Sequence, residues 1–130
     1  MKELQYDAVI IGGGAAGMAA ALELDSAGFN TAIVEREDHL GGILTQCIHN
    51  GFGLHEFGEE LTGPEFAGRL EEKVKAAGIS AYTDTTVFSL RGGKSSVLQR
   101  PSDGKKLRGN RHKRQGFDRR TANQKSKYVL

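Results

Sequence analysis

Three glycines spaced G-x-G-x-x-G, at Gly12, Gly14 and Gly17, and one carboxylate, Glu35, are the residues whose types and spacing point most directly to chemistry. In such a run each glycine has its own task. Gly12 permits a tight turn, Gly14 lets the backbone approach a pyrophosphate, and Gly17 lets the following helix pack close to the preceding strand. The free amides at the helix start, on Ala15 and Ala16, and the helix dipole favour negative charge by about 1–2 kcal/mol in a partly buried setting. Glu35 follows an apolar run, and its carboxylate can accept hydrogen bonds from both hydroxyls of an adenosine ribose. The same charge repels a 2′-phosphate, which argues against NADP at this position. A glycine-rich turn beside an incidental glutamate is the bland alternative, and its weakness is the context.

The context is set by the neighbouring elements. Asp7–Ile11 is a short apolar, β-branched run ending in glycines, the pattern of a parallel strand buried on both faces. Ala15 to Ala27 has helical spacing, with Gly28 where a left-handed cap is wanted. Thr31–Val34 is the next strand, so the first 40 residues read as a right-handed βαβ unit. From Arg36 to about Leu61 the pattern is a glycine-rich loop. Thr62-Gly-Pro-Glu65 then reads as a capping box with proline in the first turn. Phe66, Leu70, Val74 and Ala77 recur at helical spacing up to Gly78, followed by strands at 79–83 and from Val87. The expected fold is α/β: a partial Rossmann-like FAD/NAD(P)-binding domain with a parallel sheet, followed by an irregular basic tail.

Residues 6–42 resemble the N-terminus of the pyridine nucleotide-disulfide oxidoreductase superfamily. The resemblance is carried by Tyr6-Asp7-Ala8-Val9-Ile10-Ile11, Gly12 through Gly17, Ala20, Leu24, Gly28, Glu35 and the pair Gly41-Gly42. It implies an FAD-dependent oxidoreductase passing a hydride or electrons between an organic substrate and an acceptor, often NAD(P). It further implies that Gly41 and Gly42 let a loop backbone sit close to the diphosphate and ribitol of FAD. The stretch Gly41 to His55 is similar to FAD-dependent dehydrogenases found beside glycerol and opine catabolism. Disulfide reductases of this superfamily carry a Cys-x-x-x-x-Cys pair shortly after the glycine pair. This chain has one cysteine, Cys47, so a local dithiol of that kind is absent.

The spacing assigns no catalytic residue. Cys47 is a candidate flavin-facing thiol, weighed against a small buried residue. His49 is a candidate for orienting substrate or donating a proton, as is His55, against an ordinary loop hydrogen bond. Arg36 is placed to touch the adenosine, or equally to be a solvated charge. The acids Glu59, Glu60, Glu71 and Glu72 read as solvated faces, and no metal ligands are expected.

Charge divides the chain. Residues 1–90 carry 5 Lys/Arg against 14 Asp/Glu, a balance of −9, whereas residues 91–130 carry 13 against 2, a balance of +11, so the net +2 describes neither part. The second part has few large apolar residues and a weak core-forming capacity. The expected division is therefore an incomplete FAD-binding domain over 1–90 and a basic tail over 91–130, with the resemblance ending near Leu90. A shifted coding frame near Arg91 accounts for the abrupt change in charge and pattern. A genuine arm for nucleic acid, with Lys105, Lys106, Arg108, Arg111, Lys113, Arg114, Arg119 and Arg120 as phosphate contacts, is the second reading, and an unrecognised cap the third. Truncation predicts low activity of the isolated chain; a small FAD subunit completed by a partner is the alternative. Nothing in the sequence reads as a signal peptide or membrane span, so a cytoplasmic protein is expected.

Overall fold

The computed structural model describes residues 4–91, 94–99, 108–109 and 128–129. The apolar runs read from the sequence become strands β2 (Ala8–Ile11) and β3 (Thr31–Val34), joined by helix α1 (Ala15–Ser26). β2 and β3 pair in parallel, with Ala8 opposite Thr31 and Ile11 opposite Val34. Gly28 ends the α1 connection at φ +86°, the left-handed conformation anticipated for it. Helix α3 (Gly63–Ala76) begins with the Thr62/Glu65 capping box and leads into strand β6 (Ser80–Tyr82), which pairs in parallel with the other side of β3. The sheet order β2-β3-β6 is one half of a doubly wound fold.

This order decides which strand is buried. β3 lies in the middle, and all four of its residues are buried. Among the described residues β2 lies at the edge with a neighbour on one side only; Ala8, Val9 and Ile10 are half-buried and Ile11 is 54% exposed. The expectation that residues 7–11 are covered on both faces is therefore not met; the fully buried strand is β3, because it has a paired neighbour on each side. Along β3 the side chains alternate between two clusters. Ile33 joins Met18 and Ala21 of α1 with Leu70 and Val74 of α3, whereas Ala32 and Val34 join Tyr6 on the other face. Full burial of one Leu- or Ile-sized side chain contributes about 1.5–3 kcal/mol, so Met18, Ile33, Val34 and Val74 anchor the unit.

The second face is covered by β1 (Gln5–Tyr6) and by β7 (Thr85–Arg91), whose sheet is antiparallel in most of its pairings. β7 pairs with β8 (Lys94–Gln99), and short strands β9 (Arg108–Gly109) and β10 (Tyr128–Val129) add to the same sheet. Regular pairing thus continues past Leu90, where the sequence pattern fades. The basic residues proposed as phosphate contacts lie outside the described residues, save for the backbone of Arg108 in β9.

The stretch from Arg36 to Leu61 contains more order than a loop. A 3-10 turn covers Gly42–Gln46, β4 (Asn50–Phe52) pairs with β5 (Leu61–Thr62), and a one-turn helix α2 covers Leu54–Phe57. On α3 the buried stripe is Ala67, Leu70 and Val74, with Phe66 partly buried. Ala77 is exposed, because the helix ends at Ala76 and Ala77 is its cap.

Candidate functional site

The site grows from the end of β2. Gly12 leaves the strand at φ +103°, and its amide donates to Val34 O at 2.8 Å, which keeps the turn against the end of β3. A Cβ on Gly17 would lie 1.9 Å from Gly12 O, so glycine is required where α1 crosses the strand. A Cβ on Gly12 or Gly14 would meet no protein atom within 4 Å. The space above the turn is therefore open, while the space beneath it is filled. Gly14 caps α1, and among the described residues no side chain caps that helix start. The leading amides of a helix, here on Ala15, Ala16 and Gly17, have no intrahelical partner and face an anion favourably.

Glu35 follows β3 directly and is 92% buried, with 8% of its surface exposed. Its Oε2 accepts from Gly13 N at 2.6 Å, and its Oε1 accepts from Glu37 N at 3.0 Å. Its own backbone is fastened at both ends, with Glu35 N donating to Tyr82 O at 2.8 Å and Thr85 N donating to Glu35 O at 2.9 Å. Each carboxylate oxygen retains a second lone pair for a hydroxyl donor. The carboxylate and the glycine turn are thus one assembly.

Gly41 and Gly42 close the assembly from a third side. Gly41 N donates to Gly13 O at 2.8 Å, and a Cβ on Gly42 would sit 3.2 Å from Gly14 Cα. Both adopt positive φ, +113° and +53°, where the chain enters the 3-10 turn. A cavity of about 760 Å³ opens beside these groups, and its wall includes Gly12, Glu35, Arg36, Gly42, Thr45 and Val87. That lies within the usual range for small-molecule sites. Arg36 is exposed, its Nε 3.1 Å from Glu37 Oε1.

Three contributors escaped the sequence reading. Gly13 is packed so tightly that a Cβ would lie 2.4 Å from Leu40 Cδ2, and its amide is the one that holds Glu35. The glycine between Gly12 and Gly14 was the available signal. Thr85, buried at the start of β7, secures Glu35 from the far side. His39 lines the cavity; its Nδ1 meets Asp38 Oδ1 at 2.5 Å, and that hydrogen bond is the main cause of a pKa raised above 6.5.

None of the catalytic candidates Cys47, His49 and His55 is among the residues lining that cavity. Cys47 is half-buried, its thiol donating to Ile43 O at 3.4 Å. Cys47 O accepts from Gly63 N at 2.8 Å, and a Cβ on Gly63 would lie 2.3 Å from Leu44 O, so α3 begins directly against the 3-10 turn. His49 is exposed, stacks on Phe52 at 5.2 Å between ring centroids, and its Nδ1 lies 3.0 Å from Asn50 O. His55 is exposed on α2. Among the described residues no cluster of His, Cys, Asp or Glu is arranged to hold a metal, and no helix is long and apolar enough to cross a membrane.

A parallel sheet carrying a glycine turn at the end of one strand and a carboxylate at the end of the next defines an α/β dinucleotide-binding domain. Comparison with known proteins narrows the class. Residues 7–110 match the FAD dependent oxidoreductase family, and the chain belongs to it; FAD is that family's cofactor. The match runs 20 residues past position 90, in keeping with the β7–β8 pairing.

The chain is similar to a thioredoxin reductase of Ureaplasma parvum, 38% identical over 81 residues, which covers 62% of this chain and 25% of that one. It is also similar to a soluble pyridine nucleotide transhydrogenase of Photobacterium profundum, 46% identical over 50 residues, covering 38% of this chain and 10% of the relative. Among solved structures, the thioredoxin reductase from Streptococcus pyogenes aligns with TM-score 0.59 and 27% identity over 72% of this chain and 30% of that one. The L-proline dehydrogenase from P. horikoshii aligns with TM-score 0.58 and 28% identity, covering 78% of this chain and 20% of that one. The chain spans a quarter or less of the length of these two curated relatives.

Proposed function

We propose that this chain forms the FAD-binding segment of an oxidoreductase that moves a hydride or electrons between an organic substrate and an acceptor such as a pyridine nucleotide. The observation that carries the reading is the hydrogen bond from Gly13 N to Glu35 Oε2, which fastens a ribose-binding carboxylate to a phosphate-binding turn. The residues fit the cofactor on the structure's own terms. The open space above Gly12 and Gly14 is the room a diphosphate needs, and adding a Cβ there would fill it.

In this reading Gly12 and Gly14, with the amides of Ala15, Ala16 and Gly17, hold the pyrophosphate. Glu35 accepts from the ribose hydroxyls, and Gly41 and Gly42 bring the loop backbone close to the diphosphate and ribitol. Arg36 borders the adenosine. When bound, FAD supplies the redox chemistry, and the protein supplies position and electrostatics. The substrate class is the oxidisable C–OH or C–N centre suggested by the glycerol- and opine-like loop from Gly41 to His55, with Cys47 and His49 as the residues to test there. NAD(P) as acceptor belongs to the larger protein.

We keep residues 1–90 as the FAD-binding segment, with β8 added as the partner of β7, and the remainder as a basic tail. Reading the coding DNA beyond this point in the other two frames tests the tail. An apolar strand ending in Ala-Thr-Gly and a second glycine fingerprint would support a shifted frame, and their absence would favour a genuine element. A small FAD subunit completed by a partner is favoured by the open edge of β2, and a cytoplasmic location is the accompanying proposal.

Reconstitution with FAD tests the function. The chain is expected to become yellow and to retain flavin through gel filtration, and Glu35→Lys is expected to abolish retention. A folded chain that stays colourless with excess FAD contradicts the reading.

A further inference from the structure

We propose that His39 is a pH-responsive grip in the dinucleotide cavity, binding an anionic phosphate group of the cofactor through its Nε2 when the ring is protonated. The inference rests on the FAD-binding reading and adds to it a regulated contact.

Geometry makes the ring a switch. Nδ1 lies 2.5 Å from Asp38 Oδ1, so the proton of the neutral ring is held there and Nε2 is left as a lone pair. A lone pair repels a phosphate oxygen. Protonation turns the same atom into a donor, so one proton converts repulsion into a charge-assisted hydrogen bond. The ring belongs to the cavity wall that also includes Gly12, Glu35, Arg36, Glu37 and Gly42, and its side chain is 54% exposed, open to an incoming ligand.

The charges around it make the switch consequential. Of the charged groups in that wall, Glu35 and Glu37 are negative and Arg36 is positive, with Arg36 Nε already 3.1 Å from Glu37 Oε1. Counting Asp38, which is hydrogen-bonded to the ring, these groups sum to −2 with a neutral imidazole and to −1 with an imidazolium, so protonation halves the charge that opposes a diphosphate. The other groups packed around the cavity, Thr45 and Gln46 of the 3-10 turn and Thr85, Thr86 and Val87 of β7, carry no charge. Asp38, Glu37 and Glu35 all favour the protonated ring, Asp38 first through its hydrogen bond, against a smaller opposing effect of burial. The cation therefore persists to higher pH than in a free histidine. Cofactor affinity is strongest below its pKa and falls as pH rises through it.

The test is FAD affinity of the full chain, read by quenching of flavin fluorescence between about pH 6 and pH 8.5 at low salt, where imidazole titrates. The parent is expected to lose affinity about three- to five-fold across that range, the scale of one exposed charge pair. His39→Gln is expected to bind at the weak level throughout, with no pH dependence, and His39→Arg at the strong level throughout. Asp38→Asn is expected to move the midpoint to lower pH. Parallel pH profiles for the parent and His39→Gln, with FAD still bound, overturn the grip and leave the FAD reading intact. A parent that binds no FAD at any pH overturns both.

Discussion

Glu35 and Gly13 are joined by a 2.6 Å hydrogen bond from the Gly13 amide to Oε2, across 22 residues of sequence, inside a nearly fully buried environment. The bond fixes where the carboxylate points before any ligand arrives. Pre-positioning of this kind lowers the ordering that binding must impose. In the proposed reading, one side chain then serves both the turn and the ribose.

Replacing Glu35 should therefore cost both functions. Glu35→Gln keeps the shape but puts an NH2 group against one of two donating amides. The expected result is roughly ten-fold weaker FAD binding, about 1.4 kcal/mol, and a lower melting temperature of the apoprotein. Titration with FAD and thermal melts of the same sample check both.

Gly17 and Gly28 offer a controlled pair. A Cβ at Gly17 collides with Gly12 O at 1.9 Å, whereas one at Gly28 meets nothing, and its only difficulty is φ +86°. Gly17→Ala is expected to destabilise by about 3 kcal/mol or more through overpacking against backbone. Gly28→Ala is expected to cost about 1–2 kcal/mol through left-handed backbone strain. Urea denaturation ranks the two, and equal losses would contradict the close crossing of α1 over β2.

The βαβ unit was legible because its constraints are local. The spacing Gly12, Gly14, Gly17 is set by one turn, Gly28 by one cap, and Thr62 to Glu65 by one reciprocal hydrogen-bonded box. What was missed depends on partners remote in sequence. Gly13 looks like any residue of the run until Leu40 and Glu35 fold against it. Strands of two or three residues, such as β4 and β5, are too short to display a period. In β8 the polar run Lys94, Ser95, Ser96 hides the strand that β7 selects. The exposure of β2 follows from its place at the sheet edge, which apolarity alone does not reveal.

The helix α3 start should be sensitive to acid. Glu65 accepts from Thr62 N and Oγ1, both at 2.8 Å, and the backbone bond is the leading cause of a pKa below the usual 4.5. A carboxyl with a depressed folded pKa stabilises above its unfolded value, and that contribution disappears as pH falls through the folded one. Glu65→Gln should flatten the dependence of melting temperature on pH below about pH 5, where the carboxylate starts to be protonated. Thr62→Ala should cost about 1 kcal/mol at neutral pH.

Tyr82 should titrate late. Its hydroxyl is hydrogen-bonded to that of Tyr6, and burial is the main cause that pushes its pKa from 10.0 up to about 12, with the Tyr6 contact second. Because the folded value is raised, this group's contribution is complete below the unfolded value and is lost as pH climbs towards the folded one. In an absorbance titration the phenolate step near pH 12 is expected to vanish in Tyr82→Phe.

Gly14→Val tests the central claim most directly, because a side chain there would enter the proposed phosphate space while its Cβ touches no protein atom. Its φ of −73° suits any amino acid, and a Cβ there meets no protein atom within 4 Å. The apoprotein is expected to lose no more than the roughly 1 kcal/mol that a poor N-cap residue costs, while FAD affinity falls by at least about ten-fold. Unchanged FAD affinity in a normally folded Gly14→Val chain would mean that no phosphate lies above this turn.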